Sequence, residues 1–316
     1  MMMRKTKAVR QGVILAAGRG SRALPLSMKY PKPLLPVLNR PILEYQIEAL
    51  KNAGINEVII VIGFLGDKIK KYFGNGQKYG VDISYVYDNN PQGIASSLFS
   101  VKDKTQGPFV LFLGDIFMDN IDLLPSIKKF NEYEANGVVI GRVDSLEKIK
   151  GNFAIVYDKR DLIKKVVEKP QKPSGRVKGY GYYIFDQGIF EAIGKTGKSN
   201  LRDEIEITDS IQTFIDLGAR VVCDLWDKWD VNVTDPGDLL ECNLRMLRLK
   251  NLKNLIDDTV IIGNNVEIAS SIVGKQAKIG DKVTLSECLV LPNVEVISEG
   301  NFASRYIFGE GVTVSV

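Results

Sequence analysis

Apolar runs and helical patterns alternate through the first part of this chain, up to about residue 140. Runs rich in Val, Ile and Leu predict four buried strands, over residues 13–17, 58–63, 83–87 and 109–115. Apolar residues at helical spacing predict three helices, over residues 41–54, 66–74 and 93–102. Because the strand runs lack apolar–polar alternation and are separated by helices, they indicate a parallel sheet covered on both faces.

The pattern shifts toward β structure from residue 138 onward. Further strands are predicted over residues 138–143, 153–158, 162–170, 181–185 and 220–226. Further helices are predicted over residues 187–194, 204–218 and 235–250. All these elements together predict an α/β fold, a Rossmann-like mixed sheet with helices on both faces.

The C-terminal residues 256–316 follow a different period. Apolar residues recur every six positions, with a one-residue slip between Ile268 and Val273, at Ile262, Ile268, Ile279, Leu285, Leu291 and Ile297. A second apolar set lies four positions further along, at Val266, Ile272, Val283 and Leu289. This hexapeptide period predicts a left-handed parallel β-helix of about three coils of about 18 residues, with each apolar residue pointing into its core. A few antiparallel strands with polar turns are the alternative.

The change of period also suggests where the chain divides. We predict two domains, one over residues 1–250 that carries the α/β fold and one over residues 256–316 that forms the hexapeptide module.

Composition narrows the class of protein. The chain has 42 Lys and Arg against 38 Asp and Glu, and its scattered basic residues argue against nucleic-acid binding. No apolar run approaches the roughly 20 residues of a membrane span, and the first residues do not resemble a signal peptide. Three widely spaced cysteines predict neither a disulfide framework nor a zinc site, which favours a reduced, cytoplasmic protein. The absence of histidine excludes mechanisms that need a His base or ligand.

The loop after the first strand, at residues 15–37, concentrates small residues, prolines and positive charges. Gly18 and Gly20 allow the backbone to approach a ligand closely, and Ser21 can donate a hydrogen bond. Arg22 and Lys32 add charges that can bind a polyphosphate. A lone Gly-x-Gly is more often an ordinary turn, and neither a P-loop nor the dinucleotide fingerprint is present. The prolines on both sides of Lys32 nevertheless favour an anion site at the carboxyl edge of the sheet.

Further motifs follow this loop in order along the chain. They are Asn90-Pro91-Gln92-Gly93-Ile94-Ala95, Leu113-Gly114-Asp115, Val167-Glu168-Lys169-Pro170, Gly181-Tyr182-Tyr183-Ile184-Phe185, Arg202-Asp203-Glu204-Ile205-Glu206-Ile207-Thr208-Asp209, and WDKWDVNVTDPGDLLECN from residue 226. Each motif is weak alone, but together with the loop they span residues 13–243 and resemble the sugar-1-phosphate nucleotidylyltransferases, which include glucose-1-phosphate thymidylyltransferases and uridylyltransferases. This resemblance implies the GT-A-like nucleotidyltransferase form of the α/β fold.

The resemblance also implies a reaction. The phosphate oxygen of a sugar 1-phosphate would attack the α-phosphorus of a nucleoside triphosphate and release pyrophosphate. The attacking phosphate, with a second pKa of about 6, is already an anion near neutral pH, so the absence of histidine is no obstacle. Arg22 would hold the triphosphate tail, Lys32 would bridge the phosphates, and Lys169 would hold the sugar phosphate.

The site residues that the resemblance implies fall into three groups. Those with catalytic roles are Arg22, Lys32, Asp115 and Lys169. Those that would bind the nucleotide are Ala16, Ala17, Gly18, Gly20, Ser21, Asp88 and Gly93. Those that would bind the sugar phosphate are Glu168, Gly181, Arg202 and Glu204. Taken alone, Lys169 and Arg202 would be interpreted as members of exposed ion pairs.

Asp115 stands at the end of an apolar run, Phe109–Leu113 followed by Gly114, where a charge needs a compensating partner, and Mg²⁺ is the natural one. A helix N-cap or turn residue would be the simpler interpretation if Leu-Gly-Asp stood alone. In the family a second ligand precedes a Pro-x-Asp-Leu helix. Counting back from Pro236 gives Asn232 as this ligand, whereas counting forward from Trp229 gives Asp230. We predict Asn232.

Two departures from the family pattern bear on the substrates. Asp88 stands where the uridylyl- and thymidylyltransferases carry a Gln that contacts the pyrimidine. A carboxylate only accepts hydrogen bonds, so Asp88 could take N3–H of uracil or thymine, but it would suit guanine better, whose N1–H and N2–H₂ donors lie side by side. This residue alone leaves the base open. UTP or dTTP is favoured, with glucose 1-phosphate as an example of the second substrate, and GTP or CTP is the alternative. Phe153 stands in a loop where the family usually has aromatic-Gly-Val-Val, which leaves the sugar open.

Two other functions were weighed against catalysis. A non-catalytic regulatory subunit on the same fold would have no reason to keep Arg22, Lys32, Asp115 and Lys169 together. An acyltransferase role for the C-terminal module is rejected, because such domains use a His base and the module is too short. The expected partners are a nucleoside triphosphate, a sugar 1-phosphate and further copies of the chain in a homo-oligomer.

Overall fold

The computed structural model describes residues 8–200, 202–297 and 302–316 of the chain. Residues 1–7 lie outside the described residues. The prediction that the first residues do not form a signal peptide falls partly on them. Contacts divide the chain into two compact units, and each of them is discontinuous in sequence. Unit 1 extends to Gly18 and includes Gln46–Gly114 and Met118–Asp230, and unit 2 comprises Arg19–Tyr45, Asp115–Phe117 and Val231–Val316. The division into domains over residues 1–250 and 256–316 stays a prediction.

The elements before the C-terminal module alternate strands and helices. The strands are β1 Gln11–Ala16, β2 Pro36–Val37, β3 Arg40–Pro41, β4 Glu57–Ile62, β5 Asp82–Tyr87, β6 Phe109–Leu113, β7 Ile116–Met118, β8 Gly137–Val143, β9 Phe153–Tyr157, β10 Ile163–Glu168, β11 Val177–Phe185, β12 Val221–Leu225 and β13 Asp230–Asn232. The helices are α1 Ile42–Asn52, α2 Gly66–Phe73, α3 Ile94–Phe99, α4 Leu124–Glu132, α5 Leu146–Lys150, α6 Gly188–Lys195, α7 Ile207–Asp216 and α8 Pro236–Leu249. No helix among the described residues is both long enough and apolar enough to cross a membrane.

A mixed sheet of nine strands forms the centre of unit 1. Its order is β10-β9-β11-β6-β1-β4-β5, with β8 beside β11 and β12 beside β8. β1 pairs in parallel with β4 and β6, and β4 pairs in parallel with β5. β11 runs antiparallel to β6, β8 and β9. The predicted mixed α/β fold is therefore confirmed, and the four parallel strands bring their carboxyl ends to one edge.

The central parallel strands β1, β4 and β6 are buried because their side chains are apolar on both faces, whereas the edge strand β5 is partly exposed. Val13 and Ile14 of β1 and Ile60 and Val61 of β4 are fully inaccessible to solvent. A strand that is covered on both faces reads as an unbroken apolar run, which is why these strands could be located from the sequence.

Some helices and strands begin at other residues than predicted, because backbone hydrogen bonds to other segments determine where they begin. The helix predicted over 204–218 begins at Ile207, because Ile205 donates its N–H to Gln92 O at 2.8 Å and accepts at its own O from Ala95 N–H at 3.1 Å. These bonds hold residues before Ile207 extended. β11 begins at Val177 rather than at residue 181, because its first residues pair with β8. The short helices α4 and α5 were not predicted.

The C-terminal module is a short parallel β-helix, as its period predicted. Its strands are β14 Leu255–Ile256, β15 Ile261–Ile262, β16 Glu267–Ala269, β17 Ile272–Val273, β18 Lys278–Ile279, β19 Thr284–Ser286, β20 Leu289–Val290, β21 Glu295–Val296, β22 Phe302–Ser304, β23 Tyr306–Gly309 and β24 Val312–Ser315. They stack in parallel as β14-β17-β20-β23, β15-β18-β21 and β16-β19-β22, and β24 closes the first stack by antiparallel pairing with β23.

The coils are shorter than the predicted repeat. Leu255 pairs with Ile272, and Ile272 with Leu289, so the coil repeats after 17 residues at these positions. One of the three sides is therefore one residue shorter, which accounts for the slip seen in the sequence. The inner coils bury their apolar residues as expected, but Ile262 and Ile297 are 45% and 75% exposed. For Ile262 the reason is its place on the first coil, which has a neighbouring coil on one side only.

Within unit 2, the loop after β1 packs on α8 and on the β-helix. The buried Asn243 of α8 donates to Pro36 O at 2.9 Å and accepts from Leu38 N–H at 2.9 Å. Asn39 donates to Val273 O in β17 at 3.1 Å, and Tyr30 Oη accepts from Glu310 N–H at 2.9 Å. The loop is thus held by backbone-directed hydrogen bonds from two later parts of the chain.

We expect Asn243→Ala to lower the free energy of unfolding by roughly 2–4 kcal/mol, because the substitution leaves two buried backbone groups without partners. Urea unfolding followed by circular dichroism measures the loss. The control is Asn56→Ala at an exposed position, which should change the free energy of unfolding by less than about 0.5 kcal/mol. Equal losses in the two variants would contradict the anchoring role of Asn243.

Candidate functional site

In unit 2, the side chain of the buried Lys32 passes close to Gly20. Gly20 has a φ of +65°, a conformation that favours glycine, and a Cβ at this position would lie 3.0 Å from Lys32 Cγ and Cε. A short 3₁₀ turn at Ser21–Ala23 follows, in which Ala23 N–H donates to Gly20 O at 2.9 Å. Gly20 therefore serves both the turn and the passage of the Lys32 side chain.

Lys32 and Asp115 form the central ion pair of unit 2. Lys32 Nζ lies 3.7 Å from Asp115 Oδ2, and Lys32 is only 6% exposed. Burial lowers the pKa of Lys32 from its ordinary value, the Asp115 carboxylate opposes that shift, and the Arg22 guanidinium adds to it. Two cations, one buried and one exposed, thus act on the same region, where the carboxylates of Asp115 and Asp238 favour the charged lysine. A bound phosphate would relieve their mutual repulsion.

The segment that contains Asn232 runs beside Asp115. Val233 N–H donates to Asp115 O at 3.0 Å, and Asn232 is exposed. The Asp115 carboxylate and the Asn232 amide oxygen are hard oxygen donors of the kind that Mg²⁺ prefers. These residues fit the predicted ion.

Asp230, the alternative second ligand, is committed elsewhere within unit 1. Its side chain is 5% exposed and lies 2.8 Å from Lys178 Nζ and 3.0 Å from a guanidinium nitrogen of Arg142. Two cations already compensate this carboxylate, so its burial needs no metal ion. The choice of Asn232 rather than Asp230 as the second ligand stays a prediction, and the ion pairs of Asp230 are consistent with it.

The carboxyl edge of the parallel strands in unit 1 carries several of the predicted nucleotide-binding residues. Ala16 ends β1, Ala17 and Gly18 follow it, Asp88 follows β5, and Gly93 precedes α3. Asp88 is held by its N–H, which donates to Ile62 O at 2.8 Å, and by Ser97 Oγ, which donates to Asp88 Oδ2 at 2.6 Å.

The predicted sugar-phosphate residues group around the end of β10 in unit 1. Glu168 accepts from Thr208 Oγ1 at 2.8 Å, and burial, as the main cause, raises the pKa of Glu168 while Thr208, Arg202 and Lys169 oppose the shift. Lys169 has a φ of +41°, an unusual conformation for a residue with a side chain, and such strain is typical of functional positions. Glu204 lies beside Gly93, and Gly181 is buried in β11.

The sequence analysis did not single out Glu206. This residue is 2% exposed, and its Oε1 lies 3.5 Å from a guanidinium nitrogen of Arg202. Burial is the main cause that raises the pKa of Glu206, and the nearby Glu168 carboxylate adds to it. Glu206 is therefore placed to orient Arg202, and its position within the Glu-Ile-Thr-Asp motif was the available signal.

The predicted residues thus form two groups. Unit 2 contains Gly20, Ser21, Arg22, Lys32, Asp115 and Asn232. Unit 1 contains Ala16, Ala17, Gly18, Asp88, Gly93, Glu168, Lys169, Gly181, Arg202 and Glu204. The first group offers cations and metal-ligand oxygens, which suit a triphosphate. The second offers the carboxyl ends of the parallel strands and a set of charged Glu, Lys and Arg side chains.

Comparison with known proteins agrees with the motifs. The family model described as nucleotidyl transferase matches residues 11–246. The low-salt glycan biosynthesis nucleotidyltransferase Agl11 of Haloferax volcanii is 33% identical over 268 residues, which cover 83% of this chain and 73% of that protein. A glucose-1-phosphate thymidylyltransferase of Streptomyces griseus is 30% identical over 296 residues, covering 89% of this chain and 81% of that protein.

A solved structure has the same fold. A UDP-glucose pyrophosphorylase complexed with UDP-glucose superposes with a TM-score of 0.70, at 22% identity, over 77% of this chain and 100% of that one. Because the family model spans most of the sequence, the chain belongs to the nucleotidyl transferase family, and the sugar-1-phosphate nucleotidylyltransferase type predicted from its motifs is confirmed.

Proposed function

We propose that the protein transfers a nucleotidyl group from UTP or dTTP to a sugar 1-phosphate such as glucose 1-phosphate, releasing pyrophosphate and forming a nucleoside-diphosphate sugar. The observation that carries this proposal is the grouping of Lys32, Asp115 and Arg22 in unit 2. The similarity to a thymidylyltransferase supports a pyrimidine nucleotide. A homo-oligomeric state stays a prediction.

For this reaction the protein must neutralise charge and align the two substrates, and it does not need to supply a base. A phosphate oxygen of the sugar 1-phosphate forms a bond to the α-phosphorus while the bond from that phosphorus to the bridging oxygen breaks. The electron pair leaves with pyrophosphate. Arg22 and Lys32 are the cations that would bind the charge that develops on the leaving group. The chain contains no histidine, and this mechanism requires none.

A magnesium ion held by Asp115 and Asn232 would supply further positive charge to the triphosphate when bound. The buried Lys32 is poised beside the same carboxylate, so Asp115 would orient the lysine as well as the ion. Loss of the Asp115 charge should therefore affect catalysis more than folding, since its carboxylate is partly exposed.

The sugar phosphate would bind at the second group. Lys169, with its constrained backbone, and Arg202, oriented by Glu206, would bind the phosphate as charged donors. Glu168 and Glu204 would accept hydrogen bonds from sugar hydroxyls. Phe153 packs its ring against Gly179, where it fills the space that a side chain at position 179 would need.

The test of the overall proposal is pyrophosphate release by the purified protein. Each of the four nucleoside triphosphates is paired with a panel of sugar 1-phosphates in the presence of Mg²⁺. Release with UTP or dTTP supports the proposal, and no release with any pairing contradicts it.

Asp115→Asn should lower kcat by roughly 100-fold or more, because it removes a charged metal ligand and the partner of Lys32. The variant should remain folded, with a lower melting temperature because the buried Lys32 loses its nearest opposite charge. Pyrophosphate release and thermal melting measure the two effects. The matched control is the exposed Asp103→Asn, and an Asp115→Asn enzyme within about threefold of full activity would refute the role.

Lys169→Gln should raise the KM for the sugar 1-phosphate by roughly 10- to 100-fold, the value of one charged hydrogen bond, while the KM for the nucleotide changes little. Steady-state kinetics with each substrate varied in turn separates the two constants. Lys172→Gln changes a nearby exposed lysine and should leave both constants unchanged. A parallel rise of both constants would argue against a sugar-phosphate role for Lys169.

A further inference from the structure

The hydroxyl of Ser97 engages one oxygen of the Asp88 carboxylate. Ser97 Oγ donates to Asp88 Oδ2 at 2.6 Å, a short bond of the kind made to a charged acceptor. Ser97 lies on α3 and is 5% exposed, whereas Asp88 is half-buried. The bond fixes the rotation of the carboxylate and leaves Oδ1 as its less engaged acceptor.

The strand ends beside Asp88 pack backbone against backbone. Asp88 follows β5, and Gly63 follows the neighbouring strand β4. A Cβ at position 63 would lie 2.6 Å from both Ala17 O and Asp88 O, so no side chain separates these strand ends. A base bound at this carboxyl edge, where open α/β sheets bind their ligands, would have its hydrogen-bonding side toward Asp88.

The bases differ in what they offer to a carboxylate. Uracil and thymine present one donor, N3–H, between two carbonyl oxygens. Guanine presents two adjacent donors, N1–H and N2–H, which pair best with two free carboxylate oxygens. Cytosine and adenine present an exocyclic NH₂ donor beside a ring nitrogen that accepts hydrogen bonds, so a carboxylate can bind the NH₂ group but repels the ring nitrogen.

We propose that Ser97 determines base specificity: by bonding to Oδ2 it fixes the rotation of the Asp88 carboxylate and leaves Oδ1 as the stronger acceptor, which favours the single N3–H donor of uracil or thymine over the paired donors of guanine. This inference rests on the proposed function and names the residue that decides between its nucleotide alternatives. Ser97 acts through Asp88 and is therefore a positioning residue. The hydroxyl fixes which oxygen faces the base, so its removal changes the order of preference among nucleotides.

The experiment measures equilibrium binding of UTP, dTTP, GTP and CTP by calorimetry, with Mg²⁺ and without sugar phosphate. The unchanged protein should bind UTP and dTTP at least about tenfold more tightly than GTP and CTP, the value of one hydrogen bond to a charged group. Ser97→Ala should reduce the ratio of UTP to GTP affinity by about tenfold, because both oxygens of Asp88 become free. Ser96→Ala, on the same helix, is the matched control and should keep the ratio.

A second variant tests the fixed orientation independently of Ser97→Ala. In Asp88→Asn the Ser97 hydroxyl would still donate to the amide oxygen, which turns the amide NH₂ toward the base. That group donates, so this variant should favour CTP over UTP. A change in the affinity ratio is informative even if a variant is less stable, because partial unfolding lowers the apparent affinity for all nucleotides equally.

The outcomes separate this inference from the proposed function. Nucleotide binding without base preference, or a ratio unchanged in both variants, overturns the role of Ser97 and leaves the proposed function standing. Selective binding of UTP and dTTP that is lost in Ser97→Ala supports the role, even if no pairing releases pyrophosphate. No binding of any nucleotide overturns both.

Discussion

A lysine ammonium that is almost wholly removed from water is the constraint on which the candidate site depends. Lys32 is 6% exposed, and a charge at that depth requires an opposite charge or an anionic ligand. Asp115 supplies a carboxylate at 3.7 Å, a distance that gives Coulomb attraction without a tight hydrogen bond. The pair therefore compensates the buried charge of Lys32. Because no tight hydrogen bond holds the ammonium group, it would remain available to a phosphate.

The rest of unit 2 serves to keep this lysine in place. Because Gly20 has no side chain, it leaves room for the aliphatic part of Lys32. Asn243 fixes the chain just beyond Lys32 by hydrogen bonds to Pro36 and Leu38. The capping box of Asp235 and Asp238 begins α8, the helix that carries Asn243. Loop, helix and β-helix therefore act as one support, although they are far apart in the sequence.

The sequence was informative where one local pattern determines one structure. Unbroken apolar runs located the parallel strands, the six-residue period located the β-helix, and ordered motifs identified the family. It was uninformative where a contact with a residue far along the chain determines the structure. Asp230 and Asn232 stand two residues apart and look alike as ligands, and only the contact of Asp230 with Lys178 and Arg142 distinguishes them. The coil length likewise depends on stacking, which no single repeat reveals.

The same limit explains two residues that the sequence did not single out. Glu206 matters through the guanidinium of Arg202 at a distance of 3.5 Å, and Ser97 through a carboxylate nine positions earlier. A serine in a helix has no distinctive pattern, because its role depends on which strand end lies opposite.

The hydrogen bond from Glu310 N–H to Tyr30 joins residues that are 280 positions apart. During synthesis, the ribosome releases the loop after β1 early and the residue that donates to Tyr30 near the end. The loop therefore lacks this hydrogen bond through most of translation. Premature termination in the β-helix before Glu310 would release a polypeptide that contains the proposed site residues but lacks the hydrogen bond that holds their loop.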